Sequence, residues 1–202
     1  FKAHNIGYFF YNGGNDSADT AFKVSQISKK LGYPINCIAI PKTVDNDLAV
    51  TDCCPGFGSA AKYIATSTLE ASLDVASMSE TSTKVFILEV MGRHAGWMAA
   101  SSALARKDKN DPPHIILMPE VVFNQRKFLT KIKDTVKKYG YCVIVASEGV
   151  KNTKGKFLAE SNTKDAFGHT HLGGVAPELS SLIKKKLKIK NHCAVSDYLP
   201  RS

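Results

Sequence analysis

An α/β fold with mainly parallel sheets is predicted by three features of the sequence. Short, continuous runs rich in Val and Ile alternate with stretches of helical periodicity along all 202 residues. The runs lack the apolar-polar alternation of a half-exposed antiparallel sheet, so they read as strands covered on both faces. Finally, polar constellations stand where these runs end: "GGNDS", "PKTVDND", "MGR", "MPE" and "SEG". Ligands of open α/β folds bind beyond the carboxyl ends of the strands, so this placement points to function.

Each element follows from local pattern. "NIGYFFY" predicts a first strand running into the glycine turn of "YNGGNDSADT". Ser17 is placed as N-cap of a helix with Ala21, Val24, Ile27 and Leu31 on one stripe, closed by Gly32. "INCIAIP" predicts a short buried strand, and "GFGSAAKYIATSTLEASLDVASM" a long helix from Gly56 to Met78, a candidate connector between two lobes. "KVFILEVMG" reads as a strand ending in a glycine turn before a helix over "HAGWMAASSALARK". "HIILMP" is a strand, "QRKFLTKIKDTVKKYG" a helix and "YCVIVASEG" a strand. After "GGVAPELSSLIKKKL", a further helix, "HCAVSDYL" supplies a last strand.

Composition narrows the class. An apolar fraction of 44% with 22% charged residues is ordinary for a soluble globular protein. No apolar run approaches the roughly 20 residues of a membrane span, so no membrane partner is expected. No signal peptide opens the chain. The five cysteines, Cys37, Cys53, Cys54, Cys142 and Cys193, are odd in number and none has zinc spacing. Reduced thiols in a cytoplasmic protein are the expectation, and the sequon Asn15-Asp16-Ser17 is discounted on the same ground. The chain opens on Phe1 and runs almost at once into a functional turn, so an N-terminal segment is expected to be missing. The net charge of +9 admits a nucleic-acid partner. The lysines gather at surface-helix positions, however, so solvated basic faces are expected and no nucleic acid. Small anionic substrates suit the same charge.

The densest chemistry lies in "PKTVDND", residues 41 to 47. If this stretch is extended, Thr43, Asp45 and Asp47 share a face and Lys42 takes the other. Carboxylates this close raise one pKa and suit a general base. They equally suit Mg²⁺, a hard cation that takes few protein oxygens beside water and phosphate; an Asp/Asn turn with a surface lysine is the plain alternative. Gly92 and Arg93 offer N–H groups and a guanidinium to a phosphate or to sugar hydroxyls, or form a tight turn with a solvated charge. Glu120 and Glu148 end neighbouring strands, able to accept sugar hydroxyls or simply solvated. His169 and His171 would need further ligands to hold a metal.

Taken in order, "GGNDS", "PKTVDND", "EVMGRHAGW", "MPE", "SEG" and "GHTHLGG" resemble the motif series of the phosphofructokinase family, over practically the whole chain. The resemblance is particularly to its pyrophosphate-dependent branch. It implies two three-layer α/β/α lobes with the first incomplete: residues 1–78 as the end of the phosphoryl-donor lobe with its connecting helix, and residues 79–202 as the sugar-phosphate lobe. It implies fructose 6-phosphate and pyrophosphate as substrates, phosphate as a product, Mg²⁺ as cofactor, and a homo-oligomer, dimer or tetramer. Asp45 would be the catalytic base, with Thr43 beside it in the substrate loop. Met91, Gly92, Arg93 and Glu148 would bind the sugar phosphate. Lys84 would reach the 6-phosphate of a neighbouring subunit, and His169 would be a further 6-phosphate ligand. Tyr198 and Arg201 resemble a substrate-contacting pair of the branch. Gly13, Gly14 and Ser17 would bind the donor, and Asn15 and Asp47 the metal.

Asp16 is the branch signature, together with Lys42. A strand-to-helix glycine turn ordinarily welcomes phosphate, and ATP-using members of the family carry a second small residue where this chain has Asp16. A carboxylate there takes the space and charge of a nucleotide α-phosphate, so ATP is repelled while pyrophosphate fits. Lys42 replaces another small residue and is suited to stabilise the departing phosphate. Two positions depart from the family pattern. Asn15 stands where a metal-binding Asp is common, and Leu172 where ATP users have an arginine. The resemblance leaves an ATP-dependent enzyme and a non-catalytic sugar-phosphate-binding homologue as the competing readings.

Overall fold

The computed structural model of the chain describes residues 1–164, 170–172 and 174–201. Two compact units are formed, Phe1–Gly58 and Ser59–Ser202.

In the first unit, β1 (Tyr8–Gly13) and β2 (Asn36–Pro41) pair in parallel, Tyr8 opposite Asn36 and Gly13 opposite Pro41. A parallel pair needs a crossover, and α1 (Asn15–Lys30) supplies it, packing on both strands. Alternation along the strands half-buries Phe9 and Tyr11 and leaves Tyr8, Phe10, Ile38 and Ile40 exposed. The helix starts earlier than the Ser17 cap would have it. Its N-cap is Gly14, and the first helical bond runs from the Ala18 N–H to the Gly14 carbonyl. Ser17 instead packs its side chain against Gly13, where a β-carbon would lie 2.0 Å from Ser17 Oγ.

The helix α2 (Phe57–Met78), which belongs to the second unit from Ser59 onward, buries Ala60, Ala61, Ile64, Thr68, Ser72 and Val75, the helical stripe of an amphipathic segment. The sheet that follows contains β3 (Val85–Val90), β4 (Ile115–Leu117), β5 (Cys142–Ser147) and β8 (Asn191–Val195), in the order β4-β5-β3-β8 and parallel throughout. Its helices are α3 (Trp97–Ser101), α4 (Gln125–Tyr139) and α5 (Val175–Leu187). One sheet face sends Val85, Ile87, Cys142, Ile144 and Ala146 into a core with Phe128 and Ile132 of α4 and Leu179 and Ile183 of α5. On the opposite face Val143 and Val145 are fully buried, and α3 packs against β5. Burial pushes the Cys142 thiol up to about 12 and lowers His114 to about 4. The neutral His114 ring accepts the Val143 N–H at Nδ1, 3.0 Å away.

The helix expected over residues 94–107 is shorter than its pattern. It begins at Trp97, because Gly92 to Gly96 form a turn, and after Ser101 it tightens into a 3-10 turn over Ser102–Ala105. The hydroxyls of Ser101 and Ser102 donate to the carbonyls of Met98 and Ala99, three residues back, which favours the tighter winding. The strands β6 (Glu160–Lys164) and β7 (Thr170–Leu172) form an antiparallel pair that the polar stretch "ESNTK" did not announce. Among the described residues no helix is long and apolar enough to cross a membrane.

Candidate active site

The polar clusters form at the carboxyl ends of parallel strands. In the first unit β1 ends at Gly13 and β2 at Pro41, and the Lys42 N–H donates to the Gly13 carbonyl at 2.8 Å. This bond lays "PKTVDND" beside the head of α1. Asn15 Nδ2 donates to Asp47 Oδ2 at 2.7 Å, and Thr43 Oγ1 donates to Asp47 Oδ1 at 3.2 Å. The Asp45 N–H in turn donates to Thr43 Oγ1 at 3.2 Å. Asn15, Thr43, Asp45 and Asp47 are therefore one hydrogen-bonded group, with Asp16 in the first turn of α1 and Lys42 exposed where β2 ends.

The loop is bent rather than extended, which corrects the alternation argument. Thr43 and Asp47 meet because Asn46 turns the chain at φ 55°. Asparagine tolerates this left-handed conformation better than most residues. Its buried carboxamide then ties the bend down, donating to the Asp52 carbonyl at 3.2 Å and accepting the Cys54 N–H at 2.7 Å. Sequence reasoning passed over Asn46, although an Asn between two motif carboxylates was the available signal.

In the second unit the "MGR" and "SEG" stretches converge because β3 and β5 are neighbours, with Val90 opposite Ser147. The Ser147 hydroxyl donates to the Gly92 carbonyl, the Gly149 N–H donates to Ser147 Oγ at 3.2 Å, and Glu148 Oε1 accepts the Gly92 N–H at 3.4 Å. A β-carbon at Gly149 would lie 2.1 Å from the Arg93 carbonyl, so the two turns meet backbone to backbone. Arg201 Nε donates to Met91 Sδ at 3.3 Å, and its guanidinium lies 5.3 Å from the centre of the Tyr198 ring. Met91, Gly92, Arg93, Glu148, Tyr198 and Arg201 are thus assembled. Glu120 accepts the Gly96 N–H at 2.7 Å, at the head of α3.

Lys84 lies elsewhere in its own chain. It precedes β3, at the opposite end from Met91, and its ammonium donates to the Ser79 carbonyl. His169 lies outside the described residues. Among the described residues no group of three or more His, Cys, Asp or Glu side chains is arranged to hold a metal ion. The Asn15 and Asp47 pair and its neighbours Thr43 and Asp45 are nonetheless oxygen donors, and few in number. That set fits a hard divalent cation completed by water and phosphate oxygens.

Parallel strands, glycine turns and charged side chains gathered at the strand ends define an α/β protein of the strand-end ligand-binding class. The chain belongs to the phosphofructokinase family, whose model, Phosphofructokinase, matches residues 1–201. It is 62% identical over 202 residues to a pyrophosphate--fructose 6-phosphate 1-phosphotransferase of Halomonas elongata, covering 100% of this chain and 48% of the relative. A crystal structure of a pyrophosphate-dependent phosphofructokinase from Marinobacter aquaeolei matches with a TM-score of 0.83 at 60% identity, covering 100% of this chain and 47% of that one. The phosphofructokinase of Saccharomyces cerevisiae, at 17% identity and a TM-score of 0.72, shares the fold, covering 98% of this chain and 26% of its own. The chain spans about half the length of the curated relatives it matches.

Proposed function

We propose that the complete protein transfers a phosphoryl group from pyrophosphate to the 1-hydroxyl of fructose 6-phosphate. The observation that carries this reading is the network of Asn15, Thr43, Asp45 and Asp47 beside Asp16 and Lys42. Asp45, held by its backbone N–H on Thr43, takes the hydroxyl proton. The sugar oxygen bonds to phosphorus, the bridging P–O bond breaks, and phosphate leaves beside the Lys42 ammonium. Gly13, Gly14 and Ser17 seat the donor, and Asp16 excludes a nucleotide by bulk and like charge. Met91, Gly92, Arg93, Glu148, Tyr198, Arg201 and His169 receive the sugar phosphate. Lys84 serves a neighbouring subunit, which makes the protein a homo-oligomer, dimer or tetramer. Asn15 and Asp47 would hold Mg²⁺. When bound, the ion neutralises charge on the phosphate oxygens. The reading further places residues 1–78 in the donor lobe, residues 79–202 in the sugar lobe, and the protein in the cytoplasm. No nucleotide is consumed, so the reaction runs in both directions.

The test is kcat/KM with pyrophosphate and with ATP for the parent, Asp16→Gly, Lys42→Gly and the double variant of the complete protein. The parent is expected to use pyrophosphate, and Asp16→Gly to gain use of ATP. Lys42→Gly should lose about 10²–10³-fold with pyrophosphate, the scale of one transition-state charge contact, and gain nothing with ATP. A parent that prefers ATP, or Asp16→Gly with ATP as poor a donor as before, would overturn the reading of Asp16.

A further inference from the structure

Glu89 is the single charge inside the apolar strand "VFILEV", and it is only 2% exposed. A carboxylate so buried is stable only where hydrogen bonds replace its water. Two are supplied by the head of α5. Oε1 accepts the Gly174 N–H at 3.1 Å and Oε2 the Ala176 N–H at 2.8 Å. These N–H groups have no partner within their helix, and the positive end of the helix dipole favours the carboxylate. The backbone of the same residue binds a third segment. Its carbonyl accepts both the Ser196 N–H at 3.0 Å and the Ser196 hydroxyl at 2.9 Å.

Two of the three segments meeting at Glu89 carry residues assigned to the sugar phosphate, and the third is the head of α5. Two residues beyond Glu89 begin Met91, Gly92 and Arg93. Gly174 is the N-cap of α5, and Ala176 lies in its first turn. Ser196 opens the turn to Tyr198 and Arg201: its carbonyl accepts the Leu199 N–H at 2.9 Å, and Arg201 reaches back to Met91 Sδ. We propose that Glu89 is a positioning residue that sets two segments of the sugar-phosphate site, Met91 to Arg93 and Tyr198 to Arg201, relative to one another and to the head of α5. This rests on the function proposed above. Glu89 itself touches no substrate and takes no part in the chemistry. Burial raises its pKa, while the bonds from Ala176 and Gly174 oppose that rise and favour the charged form.

Glu89→Gln keeps the shape but offers one acceptor oxygen to two donors, so one N–H of α5 then faces an amide NH₂. In the complete protein this variant should raise KM for fructose 6-phosphate about tenfold or more, the scale of one lost hydrogen bond to a charged group. KM for pyrophosphate and kcat at saturation should stay within about twofold, since the donor residues lie on other elements. Ser196→Ala, which leaves the carboxylate in place, should raise the same KM about threefold and serves if Glu89→Gln does not fold. A fructose 6-phosphate KM unchanged in the folded variant, whatever its melting temperature, would overturn the proposal. Calorimetric titration of the parent with fructose 6-phosphate separates the two readings. If the parent binds none, the proposed function falls, and amide exchange then decides the role of Glu89. Faster exchange at Ala176 and at Leu199 together in Glu89→Gln upholds the clamp, and unchanged exchange at either overturns it.

Discussion

The two units carry their candidate functional residues on very different supports. In the second, Val143, Ile144 and Val145 of the central strand β5 are all 0% exposed, and helices α4 and α5 close one side of the sheet. "MGR" and "SEG" are the ends of strands that cannot move without disturbing that core. In the first, the "PKTVDND" loop ends a two-stranded ribbon whose outer face shows Tyr8 at 63% and Phe10 at 59% exposure. Two strands are marginal on their own. What fixes the loop is therefore polar and local: Asn15 and Thr43 on Asp47, the Lys42 N–H on Gly13, and Asn46 anchored at residues 52 and 54. Packing supports the candidate residues of the second unit, and hydrogen bonds support those of the first.

The largest expected effect comes from breaking the polar side. Asp45→Asn in the complete protein should lower kcat by roughly 10²–10⁴-fold, the usual loss of a general base, with little change in KM. Stability should hardly change, because no core side chain is touched. Steady-state rates with pyrophosphate and fructose 6-phosphate decide it, and a rate within about tenfold of the parent would remove Asp45 from that role.

How far each region could be read from the sequence follows the same division. The strands β3 and β5 of the second unit were legible because a strand covered on both faces is apolar nearly throughout, and "YCVIVAS" admits little else. The α4 boundaries were legible because Asn124 caps one end, accepting the Lys127 N–H at 3.0 Å, and Gly140 closes the other at φ 85°. Hydrogen-bonded geometry was less legible. The grouping of Thr43, Asp45 and Asp47 was expected from alternation, yet a bend at Asn46 produces it. Ser17 matched a cap by residue type, but the cap position fell to Gly14, since Ser17 fills the space beside Gly13. The antiparallel pair β6 and β7 was missed because Ser, Asn, Thr and Lys give no apolar period to detect. Glu89 was visible as an odd charge in an apolar run, but its partners at Gly174 and Ala176 are far away in sequence and are supplied only by the fold.

A smaller effect should come from the packed side. Ile144→Ala removes a side chain that is 0% exposed on the central strand, between α4 and α5. Loss of stability of about 2–5 kcal/mol is expected, the range for large-to-small changes in a close-packed core. Trp97 lies in the second unit and is the only tryptophan in the sequence, so urea denaturation followed by its fluorescence reports this unit. A loss under about 1 kcal/mol would mean that the sheet is less tightly supported than its burial implies.

The smallest effect is expected at Phe10, and its size sharpens the comparison most. Phe10 is as large and apolar as any core residue, but in this chain its ring lies on the open face of the ribbon. It stacks on Tyr8, with centroids 6.4 Å apart and planes 13° from parallel. Little of its surface leaves water on folding, so Phe10→Ala in the 202-residue chain should change stability by no more than about 0.5 kcal/mol. Amide exchange along β1 and β2 is the measurement that reads the ribbon itself. The curated relatives are about twice as long as this chain. In a longer chain whose further residues cover that face, the same substitution would open a cavity and cost about 3–5 kcal/mol. Measuring it in both polypeptides separates an intrinsically open ribbon from one that awaits its cover. A cost above about 2 kcal/mol in the 202-residue chain would show that the ribbon is already packed, and the contrast between the two units would fail.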